Sequence, residues 1–302
     1  MSPPKILILT LYSGEHEYDA CVAALHSQKF RRWEHRTISH LPNKEAHDTL
    51  YGEIMRQSQA FDLFVKLDAD MVLSRPSCLD EIVSFFDTRP MIHQANFAVE
   101  DSPSRSLIMG LIVFRNTAHW SENSEPLFVD GTPKTDGKRV LVWGHPSPLA
   151  SHCSNPHSFQ AFHFGVHRAL KATQRDYYPK RWIQSAVQWQ LLLRIWLKYK
   201  RTKDPVRRWI ILGANAVCSG QLSLAASEYG SSKAQALFNV YSVAADAELS
   251  EAIESWARVV LLQNMIHGIL WFQLFSYKVW CRLRLSLLTI KPIATRAVQG
   301  SS

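Results

Sequence analysis

Little in this chain points to a disulfide framework, a phosphate-cradling glycine loop or a membrane span. The five cysteines (Cys21, Cys78, Cys153, Cys218 and Cys281) are odd in number, scattered, and never spaced as C-x-x-C. That excludes a disulfide-stapled fold and a structural zinc site, and it predicts a reducing compartment. There is no low-complexity segment and no internal repeat. The N-terminal Met1-Ser-Pro-Pro-Lys5 leads into an apolar run too short for a signal-peptide core, so a cytosolic protein is expected. Val259 to Tyr277 carries no formal charge and only reaches the lower bound for a membrane span. Gln263, Asn264, His267, Lys278 and Arg282 project within about 100° of one another on a helical wheel. That polar stripe favours a packed helix, or one docked at a membrane surface, over one that spans.

What is present is an ordinary globular composition with a basic bias. The 302 residues are 46% hydrophobic and 20% charged, enough for one or two packed cores. The net charge of +8 suits an acidic partner such as a nucleotide, a nucleic acid or an anionic membrane. Lys198, Lys200, Arg201, Lys203, Arg207 and Arg208 crowd around the break at Asp204-Pro205. Such a run is either a solvated helix end or a contact for phosphate headgroups or a lipid-linked phosphate.

Strand and helix patterns alternate through the first half. Lys5 to Thr10 and Phe61 to Leu67 read as buried strands, and His35 to Ser39 as a short one. Helices are predicted over Tyr18–Gln28, from an Asn43 cap to about Gln59, and over Pro76–Phe86. This order predicts an α/β fold with a mixed, mostly parallel sheet and helices on both faces. Met91–Val99 and Ser106–Arg115 read as strands joined by a turn. Asp130 to Ser158 reads as loop with short strands, and five histidines (His145, His152, His157, His163 and His167) fall there or just beyond. From about Tyr177 the chain is helical. Trp182, Ala186, Trp189, Leu193 and Trp196 form one apolar stripe at a 4-3-4-3 spacing, which is a core face.

The chemistry concentrates in Phe61-Asp-Leu-Phe-Val-Lys-Leu-Asp-Ala-Asp70, where an apolar strand runs into Asp68 and Asp70. If extended geometry persists, both carboxylates share a face. Two hard oxygen ligands at a strand end suit Mg²⁺ or Mn²⁺ carrying a diphosphate, in the place where open α/β sheets bind ligands. The strand Lys5–Thr10, the helix Asp19–Gln28, and Leu63–Asp70 followed by Pro76 and Leu79 resemble glycosyltransferases of the GT-A fold, family 2-like branch. The resemblance covers about residues 5–175. It implies a Rossmann-like catalytic domain over 1–176. Separately, the basic residues at 198–208 and the amphipathic end near Lys278 and Arg282 suggest that the helical region 177–302 docks on a membrane or presents the acceptor.

The same resemblance implies the site. Asp68 and Asp70 would hold the cation, Asp70 directly, with a nucleoside diphosphate sugar as donor, UDP-sugar first. Phe162-His-Phe-Gly-Val-His-Arg168 is similar to the family's His-x-Gly element. His163 would be the third ligand, with His152 and His167 as competitors. Gly165 would admit a phosphate, with Arg168 or Lys171 contacting the diphosphate. Thr10, Tyr12, Gly14 and Glu15 would meet the nucleotide, with Tyr12 on the base and Glu15 near a ribose hydroxyl. Arg56 and Lys66 are further phosphate contacts, or else surface charges.

Two expected features are weak or absent. The acidic pair that many members carry as base is not found in its usual setting, because Glu100-Asp101 comes too early. Asp130 is the better-placed base and Asp136 the next, for an inverting reaction; a retaining enzyme would need neither. The turn Tyr12-Ser-Gly-Glu-His16 lacks the glycine-rich, Arg/Lys-bearing loop of a nucleotidyltransferase. A non-catalytic membrane-associated scaffold is the reading from another class. The expected acceptor is a glycan or a lipid-linked one at the cytosolic membrane face, and no nucleic acid is expected to bind.

Overall fold

A computed structural model describes residues 3–117, 119, 137–146, 148–173 and 182–289. Asp130 and Asp136, the two candidate bases, lie outside the described residues. The chain begins β1 (Ile6–Tyr12), α1 (Tyr18–His26), β2 (Trp33–Ser39), α2 (Asn43–Arg56), β3 (Leu63–Asp68), β4 (Met71–Leu73) and α3 (Cys78–Asp87). It continues with β5 (Ile92–Asp101), β6 (Ser106–Arg115), β7 (Lys138–Val142), β8 (Ala150–His152) and α4 (Ser158–Thr173). Helices α5 (Trp182–Thr202), α6 (Pro205–Cys218), α7 (Ser232–Val243), α8 (Asp246–Ile266) and α9 (Gly268–Thr289) follow.

The strands form one mixed sheet in the order β2-β1-β3-β6-β5-β8-β4, with β7 also on β5. Strands β1, β2 and β3 are mutually parallel, because each is joined to the next by a helix. Strands β5 and β6 are antiparallel because a tight turn joins them. Parallel pairing returns where β7 and β8 share an edge of β5. The sheet is thus more evenly mixed than the predicted, mostly parallel one.

Strands β1 and β3 are continuous apolar runs because both of their faces are covered. Ile6, Ile8, Leu63, Val65 and Leu67 pack with α1 and α3, through Cys21, Leu25, Leu79 and Ile82. Leu7, Leu9 and Phe64 point the other way, onto Leu50, Tyr51 and Ile54 of α2. One detail differs at the start of α2, where Pro42 takes the cap position and Asn43 is the first helical residue.

The helical half has its own core, in which α4 packs with α5 through α8. The predicted stripe of α5 is inward-facing at Ala186 and Trp189, but Leu191, Leu192 and Ile195 are buried too, so its core face is wider. Helices α4 and α6 touch backbone to backbone. A Cβ on Gly165 would stand 1.9 Å from the carbonyl oxygen of Ile210, and one on Gly213 would stand 1.9 Å from that of Phe162. The segment predicted to bind phosphate through Gly165 is therefore the middle of a helix, whose amides are committed to i→i−4 bonds. Gly165 serves close helix packing instead. The single polar stripe predicted along the last helices is broken at His267, between α8 and α9, and Asn264 is buried with its amide donating to the Trp189 carbonyl at 2.9 Å. No helix among the described residues is long and apolar enough to cross a membrane.

Candidate functional site

Strand β3 ends at Asp68, which stands in register with Leu11 of β1. Residues 69–70 then turn, the Ala69 amide donating to the Leu11 carbonyl at 3.1 Å, and β4 begins at Met71. Extended geometry therefore stops between the two carboxylates. Asp68 shares a strand face with Lys66, and the Lys66 ammonium donates to Asp68 Oδ1 at 2.8 Å. Asp70 instead meets the histidine of β8. The register explains this: β8 pairs with β4 at His152–Met71 and with β5 at His152–Asp101.

The His152 ring bridges two carboxylates, with Nε2 3.2 Å from Asp70 Oδ2 and Nδ1 3.1 Å from Asp101 Oδ1. A carboxylate only accepts, so both ring nitrogens must donate and the ring is an imidazolium. Burial works against that charge, but the two carboxylates outweigh it and carry the ring up to about 10. Burial likewise opposes the Asp70 charge, and His152, followed by Lys66, holds its carboxyl below the usual range. Asp101 is fully buried and accepts from Arg168 Nη2 at 2.8 Å, from the Ser104 amide at 3.2 Å and from the Ser104 hydroxyl. Arg168, against the cost of burying that carboxylate, keeps Asp101 far below the usual range. The guanidinium lies 4.7 Å over the Phe164 ring and donates to Gln188 of α5 at 3.0 Å. A chain of alternating charge thus runs from Asp70 into the helical half.

Glu15 is the fourth carboxyl of the region, after Asp68, Asp70 and Asp101. Its Oε2 accepts from the Ser13 amide at 2.7 Å. Burial pushes the carboxyl up to about 7, and the negative charges of Asp70 and Asp68 add to the rise. A cation that reached the aspartates would oppose that rise. Gly14, at φ +115°, makes the turn that places Glu15.

The remaining predicted residues are scattered. Thr10 is buried, with its hydroxyl on His35 Nε2 at 2.9 Å. Tyr12 stacks on Tyr18 with ring centroids 4.3 Å apart, so one of its faces is taken. Arg56 is paired with Glu53 at the end of α2 that leads into β3, a strand's length from Asp68. Arg168 contacts Asp101, and Lys171 lies in the last turn of α4. His163 is turned to the helical side, where Nε2–H donates to the Glu228 carbonyl at 3.0 Å and Tyr229 packs on its ring. His167 stacks on His163 at 6.4 Å. Of the clustered histidines it is His152, a competitor in the sequence reading, that touches Asp70. Among the described residues no three His, Cys, Asp or Glu side chains form a group that could hold a metal ion. No protein-family model matches this sequence, and no curated protein matches it.

Sequence reasoning missed Asp101 as the centre of the network. It also missed Glu17, a buried carboxylate that accepts from Gln160 Nε2 at 2.7 Å and from the Asn155 amide at 2.9 Å. The partners that decide their roles, His152 and Arg168 for Asp101 and Asn155 and Gln160 for Glu17, lie far along the chain, so no local pattern marks them.

His163 supplies a pH test. Burial pushes its imidazole from 6.5 down to about 4, so the folded protein refuses a proton that the unfolded chain accepts. Stability should therefore fall as pH drops from about 6.5 towards 4. Urea unfolding near pH 7 and pH 5 should show a smaller loss for His163→Gln than for the wild type. Equal losses would mean that the ring is not held neutral.

Proposed function

We propose that the chain is a metal-dependent glycosyltransferase that moves a sugar from a nucleoside diphosphate donor, UDP-sugar first, to a glycan or lipid-linked acceptor. The observation that carries this reading is the position of Asp68 and Asp70. They stand at the carboxyl end of β3, beside the carboxyl end of β1, with Glu15 close enough to feel both charges. Ligands of open α/β sheets bind outside such strand ends. Mg²⁺ delivered with a diphosphate needs only one or two protein carboxylates, because water and phosphate oxygens complete its shell. The Asp68–Asp70 pair fits that requirement without a third protein ligand. Its carboxylates now face Lys66 and His152, positive charges whose place a divalent ion would take. When bound, the ion would neutralise charge building on the departing nucleoside diphosphate.

Inversion remains part of the proposal, with Asp130 first and Asp136 second as base. The exposed Phe275, Val279, Trp280 and Leu283 of α9, near the basic Arg282 and Arg284, support an acceptor held at an anionic membrane surface. A second reading has one observation in its favour. Each aspartate already has an internal cation, as it would in a non-catalytic scaffold.

The two readings separate on nucleoside diphosphate release from a panel of nucleotide sugars, with and without Mn²⁺. The enzyme should release it only with the metal, and Asp70→Ala should remove that dependence. The loss of metal affinity should exceed the roughly 10–100-fold caused by losing a supporting residue. Metal-dependent release that survives Asp70→Ala would reject the site; no release from any donor would favour the scaffold.

A further inference from the structure

We infer that a cleft between the β5–β6 turn and the C-terminal half of α5 binds a phosphate group, carried by either a soluble or a lipid-borne ligand. The cleft encloses about 230 Å³ and is lined by Ser104, Arg105, Arg194, Leu197, Lys198 and Arg201. Four of these six residues are cations and none is a carboxylate. Arg194, Lys198 and Arg201 follow an i, i+4, i+7 spacing, so one face of α5 delivers three charges to the same place. Arg105 approaches from the opposite wall, in the left-handed region at φ 54°. The turn that carries it is held from both sides. Asp101 accepts from the Ser104 amide and hydroxyl, the Arg105 amide donates to the Asp101 carbonyl at 2.8 Å, and Arg207 Nε donates to the Pro103 carbonyl at 2.8 Å.

The rest of the basic run is otherwise engaged, which sets the cleft apart from a merely charged helix end. Arg207 and Arg208 pair with Asp204 and Asp246. Lys200 and Lys203 lie over the rings of Trp196 and Tyr199. Among the described residues no carboxylate pairs with Arg194, Lys198 or Arg201. Arg105 has one exposed partner, Glu100, at 3.1 Å. Arg194 donates to the Ser106 hydroxyl at 3.1 Å. Four like charges thus converge here with Glu100 as their one carboxylate partner among the described residues, and arginine forks match phosphate oxygens in bidentate fashion. Exposed Leu197 gives the cleft an apolar wall, so a ligand with a hydrocarbon part beyond its phosphate also fits. The inference rests on this charge geometry alone and is independent of the sugar-transfer reading.

The test uses the full chain at low salt with EDTA, so that no metal–diphosphate complex can form at Asp68 and Asp70. Inorganic pyrophosphate is titrated by calorimetry, and vesicles of phosphatidylcholine with and without phosphatidic acid are assayed by flotation. Lys198→Gln/Arg201→Gln removes two cleft charges. Lys200→Gln/Lys203→Gln removes two from the same helix end outside the cleft. All four side chains are at the surface, and melting curves check that each variant folds. The expected result is at least ten-fold weaker binding for the cleft variant and near wild-type binding for the other. If pyrophosphate shows this pattern the ligand is soluble, and if only phosphatidic acid vesicles show it the ligand is a lipid. Absence of binding to both probes, or equal losses in the two variants, would overturn the site.

Discussion

Replacing Asp101 by alanine should destabilise the protein by about 3–5 kcal/mol, the usual cost of removing one partner from a buried ion pair. The reason lies in what would be left behind. Arg168 would keep its positive charge in a buried setting, His152 would lose one of the two carboxylates that hold its proton, and the Ser104 amide would lose its acceptor. Since native stability is typically about 5–15 kcal/mol, this one change removes a large share of it. Asp101→Asn keeps the shape and one oxygen but not the charge, so the difference between the two variants isolates electrostatics from packing. Urea unfolding curves with matched slopes measure both. A cost below about 1 kcal/mol for Asp101→Ala would mean that water or a neighbour readily replaces the carboxylate.

Gly165→Ala and Gly213→Ala should each cost about 3 kcal/mol, at the upper end of the range for overpacking. Helix propensity argues the other way, since alanine is better than glycine by about 1 kcal/mol inside a helix. Sterics win here because the obstacle is a backbone carbonyl at 1.9 Å, which no rotamer change can move. Gly52, in α2, is the control: a Cβ there meets nothing within 4 Å, so Gly52→Ala should stabilise by about 0.5–1 kcal/mol. The double variant Gly165→Ala/Gly213→Ala should cost less than the sum of its parts. Once α4 and α6 have moved apart for one methyl group, the second finds room. Thermal melts of the four variants decide it, and additive costs would show that the two contacts yield independently.

Where apolar periodicity was local, the sequence could be read directly. Strands β1 and β3 are unbroken hydrophobic runs, so their type and rough limits were plain, and α5 repeats its tryptophans at helical spacing, so its type was plain. The placement of Asp68 and Asp70 at a strand end followed from the same run. What was not legible depends on pairing between distant segments. Asp101 and His152 are 51 residues apart and meet only because the three-residue strand β8 lies beside β5. Strands that short leave no periodic signal. Gly165 was misleading for a related reason: a glycine that admits a phosphate and one that admits another helix look the same along the chain. The divided use of the basic run, with some charges paired and others lining a cleft, also appears only once α5 is set against the β5–β6 turn.

Helix α4 has a consequence for how this chain could be divided. Its Phe162, Val166 and Ala169 belong to the helical core, while its Arg168 reaches back to the buried carboxylate of β5. A fragment that stopped at 176 would carry the apolar side of α4 bare into water, and one that began at 177 would leave α6 without the surface its glycine is shaped to meet. The α/β half and the helical half therefore share α4 as a common wall, and neither is a module that could be lifted out intact.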